Sequence, residues 1–281
     1  MILPKSVLFN LLDYEIHVTE WGNRSNPAVV LWHGLARTGR DFDELAGSLA
    51  TEYFVICPDT IGRGLSSWAT DPGSEYCLKN YCAIAIALLD RYGIENTRWL
   101  GTSMGGLIGM QLASGQTAER INSLVINDIA PSVPQQAIER ILLYAADLPV
   151  FETLALAAQW LKTTYKPFGP ANDTFWHRLL MHSIRRTDSG KITLHYDPDI
   201  ISQFSVSPGD FEIWNQYENI RQPTHLIWGA KSDVLTKSAV DRMTASGPRP
   251  QVTIYRDCGH APSLSRSGDI AALKQFFQST A

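Results

Sequence analysis

The sequence predicts an α/β fold: a mostly parallel central sheet of about eight strands, helices on both faces, and a helical lid inserted after the sixth strand. Three observations predict it. Apolar runs rich in β-branched residues alternate with helical spacing along the first 130 residues. That rhythm stops after Pro131, where the chain turns helical and rich in aromatics (Tyr144, Phe151, Trp160, Tyr165, Phe168, Phe175, Trp176) with no buried strand. It resumes at about residue 206 and runs to the end, so residues 1–130 and 206–281 are expected as the core domain and 131–205 as the lid.

Each element follows from its residues. "SVLFNLL" and "YEIHVTEWG" read as a strand pair around a turn at Asp13. "PAVVLWHG" is almost continuously apolar and ends at Gly34, as a strand buried on both faces of a parallel sheet should. "DFDELAGSLA" has helical spacing, and "YFVICPD" is a second buried strand. "CLKNYCAIAIALLDRYG" is a helix closed by Gly93. "TRWLG" and "INSLVIND" are strands on either side of the apolar segment "MGGLIGMQLA". Beyond the lid come the strand "PTHLIWGAKSD", a helix over 236–246, the strand "QVTIYRD" and a closing helix, "DIAALKQFFQ".

Composition narrows the function classes. Hydrophobic residues make up 44% and charged residues 19% of the 281, which fits a globular chain with a sizeable core. With 24 Lys+Arg against 28 Asp+Glu the net charge is -4, and no basic block offers a nucleic-acid footprint. No apolar run is long enough to span a bilayer, and Pro4, Asp13 and Glu15 interrupt the apolar N-terminus, so neither membrane span nor signal peptide is expected. Cys57, Cys77, Cys82 and Cys258 form no C-x-x-C pair, which points to free thiols and a cytoplasmic setting.

Chemistry concentrates in "LGTSMGGLIGM". Ser103 lies where a strand meets a helix, flanked two residues away on each side by Gly101 and Gly105. A sharp strand-to-helix turn with an exposed hydroxyl needs small residues at those positions, because strand and helix pass close by. The alternative is a glycine-rich turn in which Ser103 merely caps a helix. Two partners in suitable order favour the nucleophile. A serine hydroxyl needs a base, and "YRDCGHAPSLSR" supplies His260 after the last strand. The histidine needs a carboxylate, and "LIWGAKSDVL" supplies Asp233 one strand earlier. Asp128, at the end of "LVIND", is the rival acid; its other reading is a structural role at the lid entrance. The backbone N–H groups of Leu35 and Met104 are expected to bind the developing oxyanion, with Gly34 allowing close approach. His33 reads as a structural histidine of that loop, and His17 and His195 lie in polar runs that look exposed. His225 begins a strand, His177 and His182 lie in the lid without metal-ligand spacing, and no metal or cofactor is expected.

Taken together these residues resemble the α/β-hydrolase fold superfamily, over nearly the whole chain. "LWHGLA" resembles its oxyanion loop, "CPDTIGRGLSS" (Asp59, Gly62, Gly64, Ser66) its D-x-x-G-x-G-x-S turn, "GTSMGG" its elbow, "WGAKSD" its acid loop and "GHAP" its histidine loop. Serine at the elbow argues against the aspartate-bearing dehalogenases and epoxide hydrolases. The layout is similar to small bacterial carboxylesterases, enol-lactonases and the meta-cleavage-product hydrolases that cut carbon–carbon bonds. Thr102 stands where the last group often has asparagine. The resemblance implies a serine hydrolase of a small-molecule ester. Its alternatives are carbon–carbon or lactone cleavage, then a cofactor-free oxygenase or perhydrolase, then a non-catalytic binding module. Trp32, Trp160, Phe168 and Arg185 are candidate substrate contacts. Arg185 and Arg186 could meet a carboxylate or simply form a solvated helix end. The oligomeric state stays open, a homodimer included.

Overall fold

A computed structural model describes residues 2–280. Eight strands form one sheet in the order β1-β2-β4-β3-β5-β6-β9-β10. They are β1 (Lys5–Leu11), β2 (Tyr14–Trp21), β3 (Ala28–Trp32), β4 (Phe54–Pro58), β5 (Thr97–Thr102), β6 (Ile121–Asn127), β9 (Thr224–Gly229) and β10 (Gln251–Tyr255). Strands β1 and β2 pair antiparallel, as do β2 and β4; every other pairing is parallel. Every residue of β3 and β4 is buried. Helices on both faces leave a central strand no solvent side, which explains the unbroken apolar runs.

The pleat sorts successive residues into two cores. Val30 and Trp32 join Ile56, Trp99, Leu107 and Ile108 on one face. Val29 and Leu31 join Val55, Leu100, Leu273 and Phe277 on the other. Helices α1 (Asp43–Leu49) and α11 (Ser267–Ser279) cover the second face. Helices α3 (Leu78–Tyr92) and α4 (Met104–Leu112) cover the first, with the short α2 (Pro72–Glu75) preceding them. Gly93 closes α3 in a left-handed conformation (φ 67°), and Ile94 N–H donates to Leu89 O at 2.9 Å, a glycine stop that spares the last carbonyls from water.

Between β6 and β9 the chain forms α5 (Gln135–Ala145), α6 (Leu154–Thr164), α7 (Asp173–Ser183), β7 (Ile184–Arg186), β8 (Ile192–Leu194), α8 (Gln203–Val206) and α9 (Trp214–Glu218); α10 (Lys237–Ala245) then separates β9 from β10. The expectation of a strand-free insert is corrected: β7 and β8 form an antiparallel hairpin, and Ile192, Thr193 and Leu194 are buried. Three-residue strands are too short for a two-residue periodicity to stand out. Tyr76 Oη donates to Asp197 Oδ2 at 2.6 Å and Arg178 pairs with Glu44 at 2.8 Å, tying the insert to the earlier chain. Among the described residues no helix is long and apolar enough to cross a membrane.

Candidate active site

The elbow is built from backbone. Ser103 lies between β5 and α4 with φ 52° and ψ −115°, a left-sided conformation that a non-glycine residue adopts only at a cost. Its N–H donates to Asn127 O at 2.9 Å, which pins the turn to the neighbouring strand. A Cβ on Gly101 would lie 2.0 Å from Gly105 O, and one on Gly105 would lie 2.2 Å from Trp32 O. Both glycines are therefore required by close backbone approach. Gly34 is different: a Cβ there would meet Ser103 Cβ at 3.5 Å, an ordinary contact, so close approach does not demand this glycine.

His260 follows β10 and places Nε2 2.9 Å from Ser103 Oγ. Its Nδ1 lies 2.9 Å from Asp128 Oδ2. The carboxylate facing His260 is thus Asp128 and not the expected Asp233. Asp128 takes a left-handed backbone (φ 57°) immediately beyond β6, a conformation aspartate tolerates, and its N–H donates to Ile227 O at 2.9 Å. Its side chain is fully buried (0% exposed). Gly229 N–H donates to its Oδ1 at 2.7 Å and Ser232 Oγ donates to its Oδ2 at 2.6 Å. Burial pushes the Asp128 carboxyl above the usual carboxylate range; His260, Ser232 and Gly229 pull the other way by favouring the anion. Asp233 makes no hydrogen bond with His260 and sits half exposed in the wall of the neighbouring cavity. It pairs with Arg140 through Nε and, at 3.0 Å, through Nη2, and the two side chains are 47% and 42% exposed.

The loop after β3 is fixed by His33. Thr60 N–H donates to His33 Nε2 at 2.9 Å, so the ring proton belongs on Nδ1, which lies 2.7 Å from Gly34 O. The Gly34–Leu35 peptide is planar and trans, so holding its carbonyl aims the Leu35 N–H the opposite way. Burial drives the His33 pKa down to about 4, which keeps the ring neutral. The fully buried Arg63 donates from Nε to Leu35 O at 2.7 Å and from Nη1 to Ile61 O and Tyr81 Oη. Met104 is the first residue of α4, so its N–H has no acceptor within the helix and the positive end of the helix dipole lies beside Ser103.

A cavity of about 300 Å³ opens beside these groups, with Ser103, Leu35 and His260 in its wall. The insert contributes Arg140, Tyr144, Tyr165 and Phe168, and the loop after β9 contributes Lys231 and Asp233. A second cavity of about 30 Å³ also touches Ser103 and is lined by Leu107, Ile129, Val133, Phe204 and Phe211. Of the four expected substrate contacts only Phe168 lines the main cavity. Trp32 is fully buried in the core, stacked on Trp99 at 5.2 Å with its Nε1 donating to Thr60 Oγ1, on the face covered by α3 and α4. Trp160 packs between Phe151 and Tyr165 inside the insert. Arg185 lies over Trp68 at 5.5 Å, away from the cavity.

Sequence reasoning missed Arg140, Ser232 and Asn127. Asn127 Nδ2 donates to Pro262 O at 3.0 Å and to Thr102 Oγ1 at 2.9 Å, anchoring the loop that carries His260. The Asn-Asp pair closing an apolar strand was the available signal. The D-x-x-G-x-G-x-S turn is structural: Asp59 accepts from Gly39 N, Leu65 N and His17 Nδ1, and a Cβ on Gly64 would lie 2.1 Å from its Oδ2. His17, which the polar run made look exposed, is buried between Asp59 and Ser6. Among the described residues no group of three or more His, Cys, Asp or Glu could hold a metal ion.

The comparisons agree with this architecture. A family model described as alpha/beta hydrolase fold matches residues 27–267. A 3-hydroxybutyrate-oligomer hydrolase of Cupriavidus necator is 37% identical over 269 residues, covering 92% of this chain and 91% of that protein. A 3-oxoadipate enol-lactonase of Acinetobacter baylyi is 31% identical over 121 residues, 43% of this chain and 44% of its own length. The crystal structure of an alpha/beta hydrolase from Novosphingobium aromaticivorans superimposes with a TM-score of 0.88 at 32% identity, covering 99% of both chains. The chain belongs to the α/β-hydrolase fold family.

Proposed function

We propose that this chain is a serine hydrolase of carboxylic esters, and that its substrates are short linear oligoesters of 3-hydroxybutyrate type. The observation that carries the chemistry is the chain of contacts Ser103 Oγ–His260 Nε2–Asp128 Oδ2, both at 2.9 Å, beside a cavity. His260 takes the Ser103 proton as Oγ attacks the ester carbonyl. Leu35 and Met104 N–H groups bind the oxyanion. Asp128 holds the imidazole in the tautomer with its proton on Nδ1 and stabilises the imidazolium. His260 then protonates the leaving alcohol, and afterwards activates water to release the acid and restore Ser103.

The substrate class is supported by likeness to the oligomer hydrolase over nine-tenths of both chains. Likeness to the enol-lactonase spans less than half of each and carries correspondingly less weight. The cavity lies at the small end of ligand sites, which suits a short molecule. The insert, expected as a lid over residues 131–205, supplies the aromatic part of the wall.

The test is hydrolysis of p-nitrophenyl butyrate and a 3-hydroxybutyrate trimer by the native protein and by Ser103→Ala. Turnover of both, lost by about 10⁴-fold or more in the variant, is expected. Turnover of neither substrate by the native protein overturns the reading.

A further inference from the structure

The charges around the main cavity are not balanced, and their imbalance lies beside the histidine. Among its wall residues Arg37 is matched by Asp41, to which its Nε donates at 2.8 Å, and Arg140 is matched by Asp233. Lys231 has no acidic partner among the described residues. Asp233 occupies the Nε and Nη2 positions of Arg140, and the Tyr144 side chain lies beside the guanidinium. Arg140 is held in place, since its guanidinium lies 5.9 Å from the Tyr144 ring centre and is anchored across to the loop after β9. An arginine held on one edge, in the same cavity wall as a lysine with no acidic partner, can receive a carboxylate.

Position decides which end of a substrate it receives. Lys231 N–H donates to Cys258 O at 2.9 Å, two residues before His260, so its loop and the histidine loop are laced together. His260 must protonate the leaving alcohol, so the leaving group lies on this side of Ser103. The small cavity that also touches Ser103 is walled by Leu107, Ile129, Val133, Phe204 and Phe211 and offers room for an apolar branch of the acyl part.

Resting on the ester-hydrolase reading, the geometry points to Arg140 and Lys231 as the residues that bind the free carboxylate of the substrate's acid end. Ser103 then attacks the last ester bond of an oligoester. The upstream acyl group is transferred to Oγ, and the terminal hydroxy acid leaves as the alcohol, carrying the bound carboxylate and taking its proton from His260. Water releases the shortened oligomer, whose new carboxylate can occupy the same place.

The experiment compares kcat/KM for the 3-hydroxybutyrate dimer as the free acid with that for the same dimer capped as a terminal primary amide. The scissile ester is identical, and only the carboxylate differs. The native protein is expected to prefer the acid at least tenfold, mostly through KM. Lys231→Ala and Arg140→Gln are expected to bring the ratio towards one, and Lys231→Arg to keep it; a ratio is internal to each variant, so partial loss of folded protein does not imitate the effect. Equal rates on acid and amide in the native protein overturn the assignment, as does a ratio that survives both substitutions. Hydrolysis of p-nitrophenyl butyrate without hydrolysis of the dimer acid also overturns it while leaving an esterase standing. Failure on every ester sinks the ester-hydrolase reading itself.

Discussion

Two aspartates stand just past the carboxyl ends of neighbouring parallel strands, and they do different things. Asp128, after β6, is fully buried, accepts from a backbone amide and a serine hydroxyl, and faces the imidazole of His260. Asp233, in the loop after β9, is half exposed and spends both oxygens on Arg140. A carboxylate that must hold one histidine tautomer needs fixed donors on its remaining lone pairs and a dry setting, so that its charge is not screened. Only the β6 position offers these. The β9 position is wet, and an exposed ion pair there adds little stability.

The sharpest way to break this comparison is to remove the charge from each aspartate in turn, with Ser103→Ala (about 10⁴-fold or more) as the floor. Asp128→Asn preserves shape but presents an N–H where His260 needs an acceptor, so kcat for p-nitrophenyl butyrate is expected to fall by about 10³- to 10⁴-fold. Retention of more than a tenth of the native rate would make Asp233 or another group the working acid. His33 tests the same logic in stability terms. Its pKa is about 4 folded against 6.5 in the unfolded chain, so the unfolded state binds the proton first on acidification. Stability is full above about pH 6.5 and declines as pH falls towards about 4, by roughly 3 kcal/mol in all. Thermal melts across that range should show the decline, and His33→Gln should flatten it. Removing Ser232 leaves Gly229 N–H on Oδ1 and His260 on Oδ2 but deletes the hydroxyl donor to Oδ2; Ser232→Ala is expected to lower kcat by about tenfold, the scale of one charge-assisted hydrogen bond. The smallest effect belongs to Asp233→Asn, with kcat on p-nitrophenyl butyrate within about threefold of native, as befits an exposed pair. A loss approaching that of Asp128→Asn would erase the distinction drawn here.

The sheet, its helices and the serine turn were legible because each rests on local spacing: unbroken apolar runs for central strands, and glycines two residues either side of Ser103 for an elbow whose backbone approach is forced. His260 was legible as the histidine after the final strand. The choice between Asp128 and Asp233 was not. Both follow strands of one sheet, and what separates them is the left-handed turn at Asp128 and the donors of Gly229 and Ser232, about a hundred residues away in sequence. The substrate contacts failed for a related reason. Trp32 sits on a strand whose residues alternate between two cores, and residue type alone does not say which face an indole takes. Trp160 and Arg185 satisfied aromatic neighbours within or beside the insert, and composition cannot distinguish packing from lining.

The glycine contacts at the elbow have a consequence for how such a chain can change over generations. Where Gly101 meets Gly105 and Gly105 meets Trp32, backbone touches backbone, so there is no side chain whose gradual exchange could retune the position of Ser103. The opposite wall is made of long, replaceable groups, with Arg140, Tyr144, Tyr165, Phe168 and Lys231 among them. Side-chain exchanges that reshape the cavity are therefore open to the insert and the loop after β9, while the turn at Ser103 leaves backbone no room to shift.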